Sequence, residues 1–206
     1  MKKFLTVVLA CTMLFGFSAA ASAQGFDAGV KLGYQTLTGD AGDTFDGALA
    51  WGLYGTYSFN PNISLVGSWT YSKHKTGSDA DAGTDFLTSL ALGTPTLADV
   101  RLKMNQFDVN AQYRFPMEKV TPYLLAGVGL DYWKVDWKAI QGAFDASADE
   151  SFWDFGINVG GGLDFAVAEN IKIGGEITYS YIFDEFDGGL FNFLATAAYS
   201  FSTSGY

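Results

Sequence analysis

Eight charged residues fall at the polar positions of segments in which polar and apolar residues alternate. Alternation with a period of two is typical of β-strands, whose successive side chains point to opposite faces. If the polar faces line the inside of a closed sheet, these charges share a narrow lumen, where an unpaired charge costs several kcal/mol. We therefore expect a network of ion pairs and hydrogen bonds among Lys31, Asp108, Arg114, Asp131, Asp154, Asp164, Lys172 and Glu176.

Such a lumen has two possible functions. A fully paired network acts as a plug that keeps the barrel closed. A partly paired network leaves a polar or gated path for small solutes. The inward positions also include several glycines, which leave room for bulky residues such as Tyr54 and Arg114 on the opposite wall.

No catalytic, metal or cofactor site is predicted. His74 is the only histidine, and Ser72 lies two residues before it, but no Ser/acid motif of a hydrolase accompanies the pair. We interpret His74 as a loop-edge residue among Lys73 and Lys75. The acidic segment 79–85 lacks the third acidic position and the closing Glu of a calcium loop.

The segment 171–183 is the clearest example of the β-strands that position these charges. Ile171, Ile173, Ile177 and Tyr179 alternate with polar residues or glycine, so the two faces of the strand meet two different solvents. An apolar face with aromatic residues near its edge suits a barrel strand that crosses a bilayer. Similar segments predict eight strands at 26–35, 48–59, 63–74, 101–115, 122–136, 152–167, 171–183 and 190–201.

The connections between these strands alternate in length. Those at 60–62, 116–121 and 168–170 are short, whereas those that follow the first, third, fifth and seventh strands are mostly longer, including 75–100 and 137–150. Short periplasmic turns and long external loops are typical of outer-membrane barrels. Two aromatic girdles are also predicted: Phe59, Phe115, Tyr123, Phe165 and Phe201 at the turns, and Trp69, Tyr71, Tyr132, Tyr179 and Tyr181 at the loops.

A soluble β-sandwich is the alternative fold, because its strands also alternate. Its apolar faces would all have to pack inside. Here the apolar set is too large and too aromatic for such a core, and the polar set is too rich in Gly, Ser and Thr for an ordinary charged surface. We therefore predict an all-β, eight-stranded, antiparallel up-and-down transmembrane β-barrel.

The N-terminus predicts export. Lys2 and Lys3 precede an apolar run, and Ala21-Ser22-Ala23 matches a signal-peptidase site, so residues 1–23 are interpreted as a cleaved signal peptide and 24–206 as the barrel domain. A lipoprotein signal that ends at Cys11 is the alternative, although it ignores the Ala-x-Ala site. Without residues 1–23 the chain keeps 22 acidic and 10 basic residues and no cysteine. This acidic balance argues against nucleic-acid binding.

Two motifs resemble small outer-membrane barrel proteins of the OmpA membrane-domain, OmpX and OmpW type. Thr121-Pro122-Tyr123-Leu124-Leu125-Ala126-Gly127-Val128-Gly129 is similar to their PYxxAGxG strand. Gly160-Gly161-Gly162-Leu163-Asp164-Phe165 followed by Glu169-Asn170-Ile171 resembles their next hairpin. The resemblance in pattern covers nearly all of 24–206. One departure is that Ser202–Tyr206 follows Phe201, the aromatic residue that closes the last strand.

The resemblance implies a protein of the bacterial outer membrane that contacts lipid and lipopolysaccharide, and whose last strand is read by the barrel-insertion machinery. It implies a non-enzymatic structural or surface-interaction role. The alternative is a narrow channel or an OmpW-like carrier for small molecules, and a lipid-modifying enzyme ranks third. A carrier would use an apolar pocket at the outer mouth, formed by Phe86, Leu87, Leu90, Leu102 and Met104.

Overall fold

The computed structural model describes residues 25–39, 42–43, 45–75, 98–141, 144–183 and 188–201, with the backbone alone over 98–100, 135–141 and 144–150. No helix in these parts of the chain is long and apolar enough to cross a membrane. The described residues form eight strands: β1 Gly25–Leu37, β2 Ala48–Ser58, β3 Ile63–Lys75, β4 Ala98–Arg114, β5 Val120–Gln141, β6 Phe144–Ala168, β7 Ile171–Ile182 and β8 Gly189–Phe201.

These strands form a closed antiparallel barrel. Each strand pairs with the next in the sequence, and β8 pairs with β1 from Phe26↔Phe201 to Leu37↔Leu190. The predicted fold class is therefore confirmed. The end of the barrel with the β2–β3, β4–β5 and β6–β7 connections is called the turn end below, and the opposite end is called the loop end.

The period of two decides which side chains enter the barrel. On β7, Ile173 and Ile177 are exposed on the outer wall, whereas Glu176 is buried inside with 5% of its surface exposed. The other strands follow the same rule, so large apolar side chains cover the outside and polar ones fill the lumen. This distribution is the reverse of a water-soluble protein and matches a barrel surrounded by lipid.

Aromatic side chains gather on the outer wall at both ends. Near the loop end, the rings of Trp51 and Trp69 meet edge to face at 5.1 Å. At the turn end, Tyr199 packs on Phe201 at 4.9 Å. The placement of Tyr123 in the turn-end girdle was wrong, because Leu124 takes the outward position and Tyr123 therefore points into the lumen.

The largest difference from the sequence prediction concerns β5 and β6. Residues 137–150 were predicted as a loop, but pairing continues without a register shift from Asp131↔Asp154 to Gln141↔Phe144. The two strands are 22 and 25 residues long, whereas a bilayer crossing needs about 9–11. In this extension the sequence no longer alternates between apolar outward positions and polar inward positions, so only the backbone pairing reveals the strands.

Two glycines make room for tyrosines inside the barrel. A Cβ at Gly29 would lie 2.5 Å from the Tyr54 ring, and a Cβ at Gly162 would lie 2.5 Å from the Tyr123 hydroxyl. Real Cβ atoms do not approach other atoms so closely. The absence of a side chain on one wall therefore allows a large ring to extend from another.

Candidate functional site

The lumen at the turn end is crossed by an ion-pair cluster of four side chains from four strands. Lys172 on β7 lies 2.8 Å from Asp27 on β1. Arg114 on β4 lies 3.1 Å from Asp164 on β6 and 3.8 Å from Asp27. Each charge therefore has an opposite charge beside it, which offsets the cost of removing it from water.

A second buried cluster lies one layer deeper. The Lys31 ammonium lies 2.6 Å from Oε1 of Glu176, and the Tyr123 hydroxyl donates to Oε2 at 3.0 Å. The same ammonium lies 5.3 Å from the centre of the Tyr54 ring, within the range of a cation–π contact. Both carboxylate oxygens of Glu176 thus have a donor.

The middle of the lumen is acidic. Asp108 accepts hydrogen bonds from Asn158 at 2.8 Å and from Ser68 at 3.4 Å. Asp131 is fully buried and stands directly opposite Asp154 in the β5–β6 register. Among the described residues, neither carboxylate oxygen of Asp131 has a hydrogen-bond partner. Gln112 and Asn158 each have one buried oxygen without a partner among the described residues, whereas both oxygens of Asp131 are in that state.

A layer of amide and hydroxyl side chains follows toward the loop end. Gln35 donates to Asn192 at 2.7 Å, Asn192 donates to Gln106 at 3.2 Å, and Gln106 donates to Ser180 at 2.9 Å. These four residues come from β1, β8, β4 and β7. The chain of hydrogen bonds therefore spans the lumen from wall to wall.

His74 belongs to this layer, so its interpretation as a loop-edge residue was wrong. It is fully buried, its Nδ1 lies 2.9 Å from the carbonyl oxygen of Asp46, and its Nε2 lies 3.0 Å from both Ser72 and Gln35. The even-numbered inward face of β3 includes position 74, which explains the placement. A serine and a histidine are adjacent, and both side chains are buried by the described residues.

An apolar cluster closes the lumen at the loop end. Leu102 and Met104, two of the five residues predicted to line an outer pocket, lie in it. Phe86, Leu87 and Leu90 lie outside the described residues. Phe45 and Phe152 pack against the cluster, so this part of the lumen is filled with side chains. Its buried members are Leu37, Leu102, Met104, Trp133, Ile182 and Leu190.

A cavity of about 310 Å³ opens at the turn end. Asp27, Arg114, Lys172 and Phe201 are among the residues that line it. Three of the four charges of the ion-pair cluster therefore line this cavity. Among the described residues, no group of three or more His, Cys, Asp or Glu side chains has the geometry to hold a metal ion.

Sequence reasoning left four residues out of the predicted lumen network. Asp27 lies 3.8 Å from Arg114 and Tyr123 donates to Glu176, whereas Gln35 and His74 belong to the polar layer. Strict counting of the period of two would have found Asp27, Gln35, Tyr123 and His74. Which lumen residues pair with one another depends on the barrel geometry, and no sequence pattern predicts it.

The sequence of the whole chain was compared with models of known protein families. The outer membrane protein beta-barrel domain family matches residues 7–201. The chain belongs to this family. Membership supports a location in the bacterial outer membrane. Among curated proteins, a sequence search finds no match.

Solved structures share the fold at low sequence identity. Ail, the attachment invasion locus protein of Yersinia pestis, in complex with the heparin analogue sucrose octasulfate, has a TM-score of 0.56 at 21% identity, over 86% of this chain and 99% of that one. Neisserial surface protein A has a TM-score of 0.55 at 17% identity, over 85% and 97%. A major outer membrane protein from Thermus thermophilus has a TM-score of 0.60 at 10% identity, over 86% and 98%.

Proposed function

We propose that this protein is a closed, non-enzymatic barrel that acts at the cell surface. The observation that carries the proposal is the filling of the lumen, layer upon layer, by side chains from opposite walls. The ion pairs at the turn end, the Gln35–Ser180 hydrogen-bond chain and the apolar cluster each cross the lumen. A hydrated ion would have to break all three layers to pass.

Planar-bilayer recordings of the refolded protein test this proposal. We expect no single-channel steps. Steady steps whose size changes in Arg114→Ala or Glu176→Ala would show that the lumen conducts, and the channel function would replace the closed one. Met117→Ala, an exposed substitution in the β4–β5 turn, is the control for handling and refolding.

The surface role is supported by the long β5–β6 hairpin. At the loop end, β6 pairs with β7 only as far as Gly156↔Ile182, while its pairing with β5 continues to Phe144. Among the described residues, one edge of β6 is therefore unpaired over about ten residues. Edge strands are ready templates for pairing with another chain. Because longer loops of outer-membrane barrels lie outside the cell, we place the loop end at the cell surface.

A non-enzymatic role is supported by the setting of Ser72 and His74. Both side chains are buried, and the histidine ring is held between the Asp46 carbonyl and Gln35. Neither side chain reaches the lipid-facing wall. A lipid substrate would have no access to them without opening of the barrel.

The apolar character of this cluster, which would have to repack to admit a ligand, supports a second candidate function, a carrier for small apolar molecules. Such a carrier would bind 1-N-phenylnaphthylamine near Met104, and Met104→Asp would abolish the binding. Met117→Asp, an exposed substitution at the turn end, is the matched control. Equal probe binding by both variants would exclude the cluster as a carrier site.

We also propose that residues 1–23 are removed on export, that the last strand is read by the barrel-insertion machinery, and that the outer wall contacts lipopolysaccharide. The mass of the protein purified from outer membranes tests the first point, because cleavage after Ala23 predicts Gln24 as the first residue. Phe201→Ser tests the second point through the amount of folded barrel in the membrane.

A further inference from the structure

The charges that line the turn-end cavity are opposite in balance to those of the chain as a whole. Arg114 and Lys172 are both among the lining residues, and Asp27 is the only carboxylate that accompanies them in the described part of the chain. Asp164, the fourth member of the ion-pair cluster, is not a lining residue. After position 23 the chain has 22 acidic and 10 basic residues. An excess of positive charge in this one cavity therefore points to an anionic ligand.

The cavity is also more open to the cation than to the carboxylate of its closest ion pair. Lys172 and Asp27 lie 2.8 Å apart, but 27% of the lysine side chain is exposed against 10% of the aspartate. A solute that enters the cavity therefore meets the ammonium group before it meets the carboxylate.

Both cations keep hydrogen-bond donors in reserve. In the described part of the chain, the Lys172 ammonium donates one side-chain hydrogen bond, to Asp27 at 2.8 Å. The Arg114 guanidinium likewise donates one, to Asp164 at 3.1 Å, and its 3.8 Å distance from Asp27 is too long for a second. An ammonium has three donors and a guanidinium has five, so several N–H groups of the two side chains are available to a ligand.

We infer that the turn-end cavity binds the phosphate group of a small, water-soluble solute. A phosphate group on such a solute carries between one and two negative charges near neutral pH, together with several acceptor oxygens, and therefore matches two cations better than a carboxylate does. Thr121 and Ser200 add hydroxyl-bearing residues to the lining. A volume of about 310 Å³ lies at the lower end of the range for small-molecule sites.

The solute is soluble rather than a lipid, because Arg114 and Lys172 occupy inward positions and the barrel wall separates them from the lipid outside. The inference goes beyond the closed barrel proposed above, since the ligand enters and leaves at the turn end without crossing the lumen.

Equilibrium dialysis of the refolded full chain against radiolabelled inorganic phosphate tests the site. The protein is held in octyl glucoside micelles at constant ionic strength, and unlabelled acetate serves as a competitor. We expect saturable binding of phosphate, with acetate about tenfold less effective as a competitor than unlabelled phosphate. Repetition in phosphatidylcholine nanodiscs, which leave both ends of the barrel accessible, should give the same affinity.

Two substitutions in one ion pair should act in opposite directions. Lys172→Gln should weaken phosphate binding about tenfold, because it removes a charged donor. Asp27→Asn should strengthen binding, because it removes the competing carboxylate and frees Lys172. Lys172→Arg should retain binding. Lys119→Gln, which removes an exposed charge of the turn end outside the cavity lining, should change nothing. Heat-modifiable migration on a gel confirms that each variant is folded.

The absence of saturable binding in micelles would overturn the inference, and so would a weakening in Asp27→Asn equal to that in Lys172→Gln, since a purely structural ion pair loses equally from either side. Binding in micelles that disappears in nanodiscs would show that a lipid headgroup occupies the cavity instead of a soluble solute. Planar-bilayer recordings keep the two proposals apart. Channel steps together with phosphate binding would contradict only the closed lumen, whereas a silent barrel that binds no phosphate would contradict only the site.

Discussion

The Lys31 ammonium on β1 lies 2.6 Å from the Glu176 carboxylate on β7, although β8 stands between the two strands. Position 31 is opposite Thr196 and position 176 is opposite Leu194. The ion pair therefore crosses the inner face of β8 and ties two strands that share no backbone hydrogen bonds. With both side chains about 95% buried, the pair depends on each partner to avoid an isolated charge.

Lys31→Met should lower the free energy of unfolding by about 3–5 kcal/mol, because Glu176 is left buried with only the Tyr123 hydroxyl as donor. Adding Glu176→Leu should recover most of this loss, since a buried ion pair is replaced by apolar groups. Urea unfolding in phospholipid vesicles measures both values. Glu118→Gln in the exposed β4–β5 turn is the control. Additive losses in the double variant would mean that the two residues act independently.

Asp131 and Asp164 should respond in opposite directions to the same substitution. Asp131 is fully buried and its oxygens have no hydrogen-bond partner among the described residues, so Asp131→Asn should raise the free energy of unfolding by about 1–3 kcal/mol. Asp164 pairs with Arg114 at 3.1 Å, so Asp164→Asn should lower it. The same urea experiment compares the two variants. A loss in both would show that Asp131 has a stabilising role.

Gly29→Ala should destabilise the barrel by about 1–3 kcal/mol, because its new methyl group overlaps the Tyr54 ring and the Ala197 carbonyl oxygen. Gly67→Ala is the matched control on a neighbouring part of the sheet. A Cβ at Gly67 meets no atom within 4 Å, so its effect should stay within about 0.5 kcal/mol. Thermal unfolding on a heat-modifiability gel gives the order of the three proteins. A control as unstable as Gly29→Ala would contradict the steric explanation.

The fold could be predicted from the sequence because the bilayer imposes one rule on every strand. Ile173 must face lipid and Glu176 must not, and that requirement leaves a period of two in the sequence. The rule predicted the strand order and the alternation of inward and outward positions, although Tyr123 and His74 had been assigned to the girdle and to a loop edge. It failed at the extension of β5 and β6, where apolar outward and polar inward positions no longer alternate and only backbone pairing defines the strands.

The partners inside the lumen could not be predicted in the same way. Lys31 pairs with Glu176 across β8, and His74 meets Gln35 across β2. Both pairings depend on the tilt and stagger of the closed sheet, which fix the height of each residue. The period of two gives the side of the wall on which a residue lies, but it does not give its height relative to the residues of non-neighbouring strands.

Hydrogen exchange of β6 should show two patterns within one strand. From Gly156 to Ala166, β6 has a paired strand on both sides, so every amide should be protected. From 145 to 154, only β5 is paired with it among the described residues. The Phe155 carbonyl accepts from Phe183 on the β7 side, so the odd-numbered amides before it point to the open edge. Even-numbered amides should therefore exchange slowly and odd-numbered ones fast. Fast exchange throughout 145–150 would instead favour the loop that the sequence predicted, and slow exchange throughout 145–154 would indicate that another segment covers the edge.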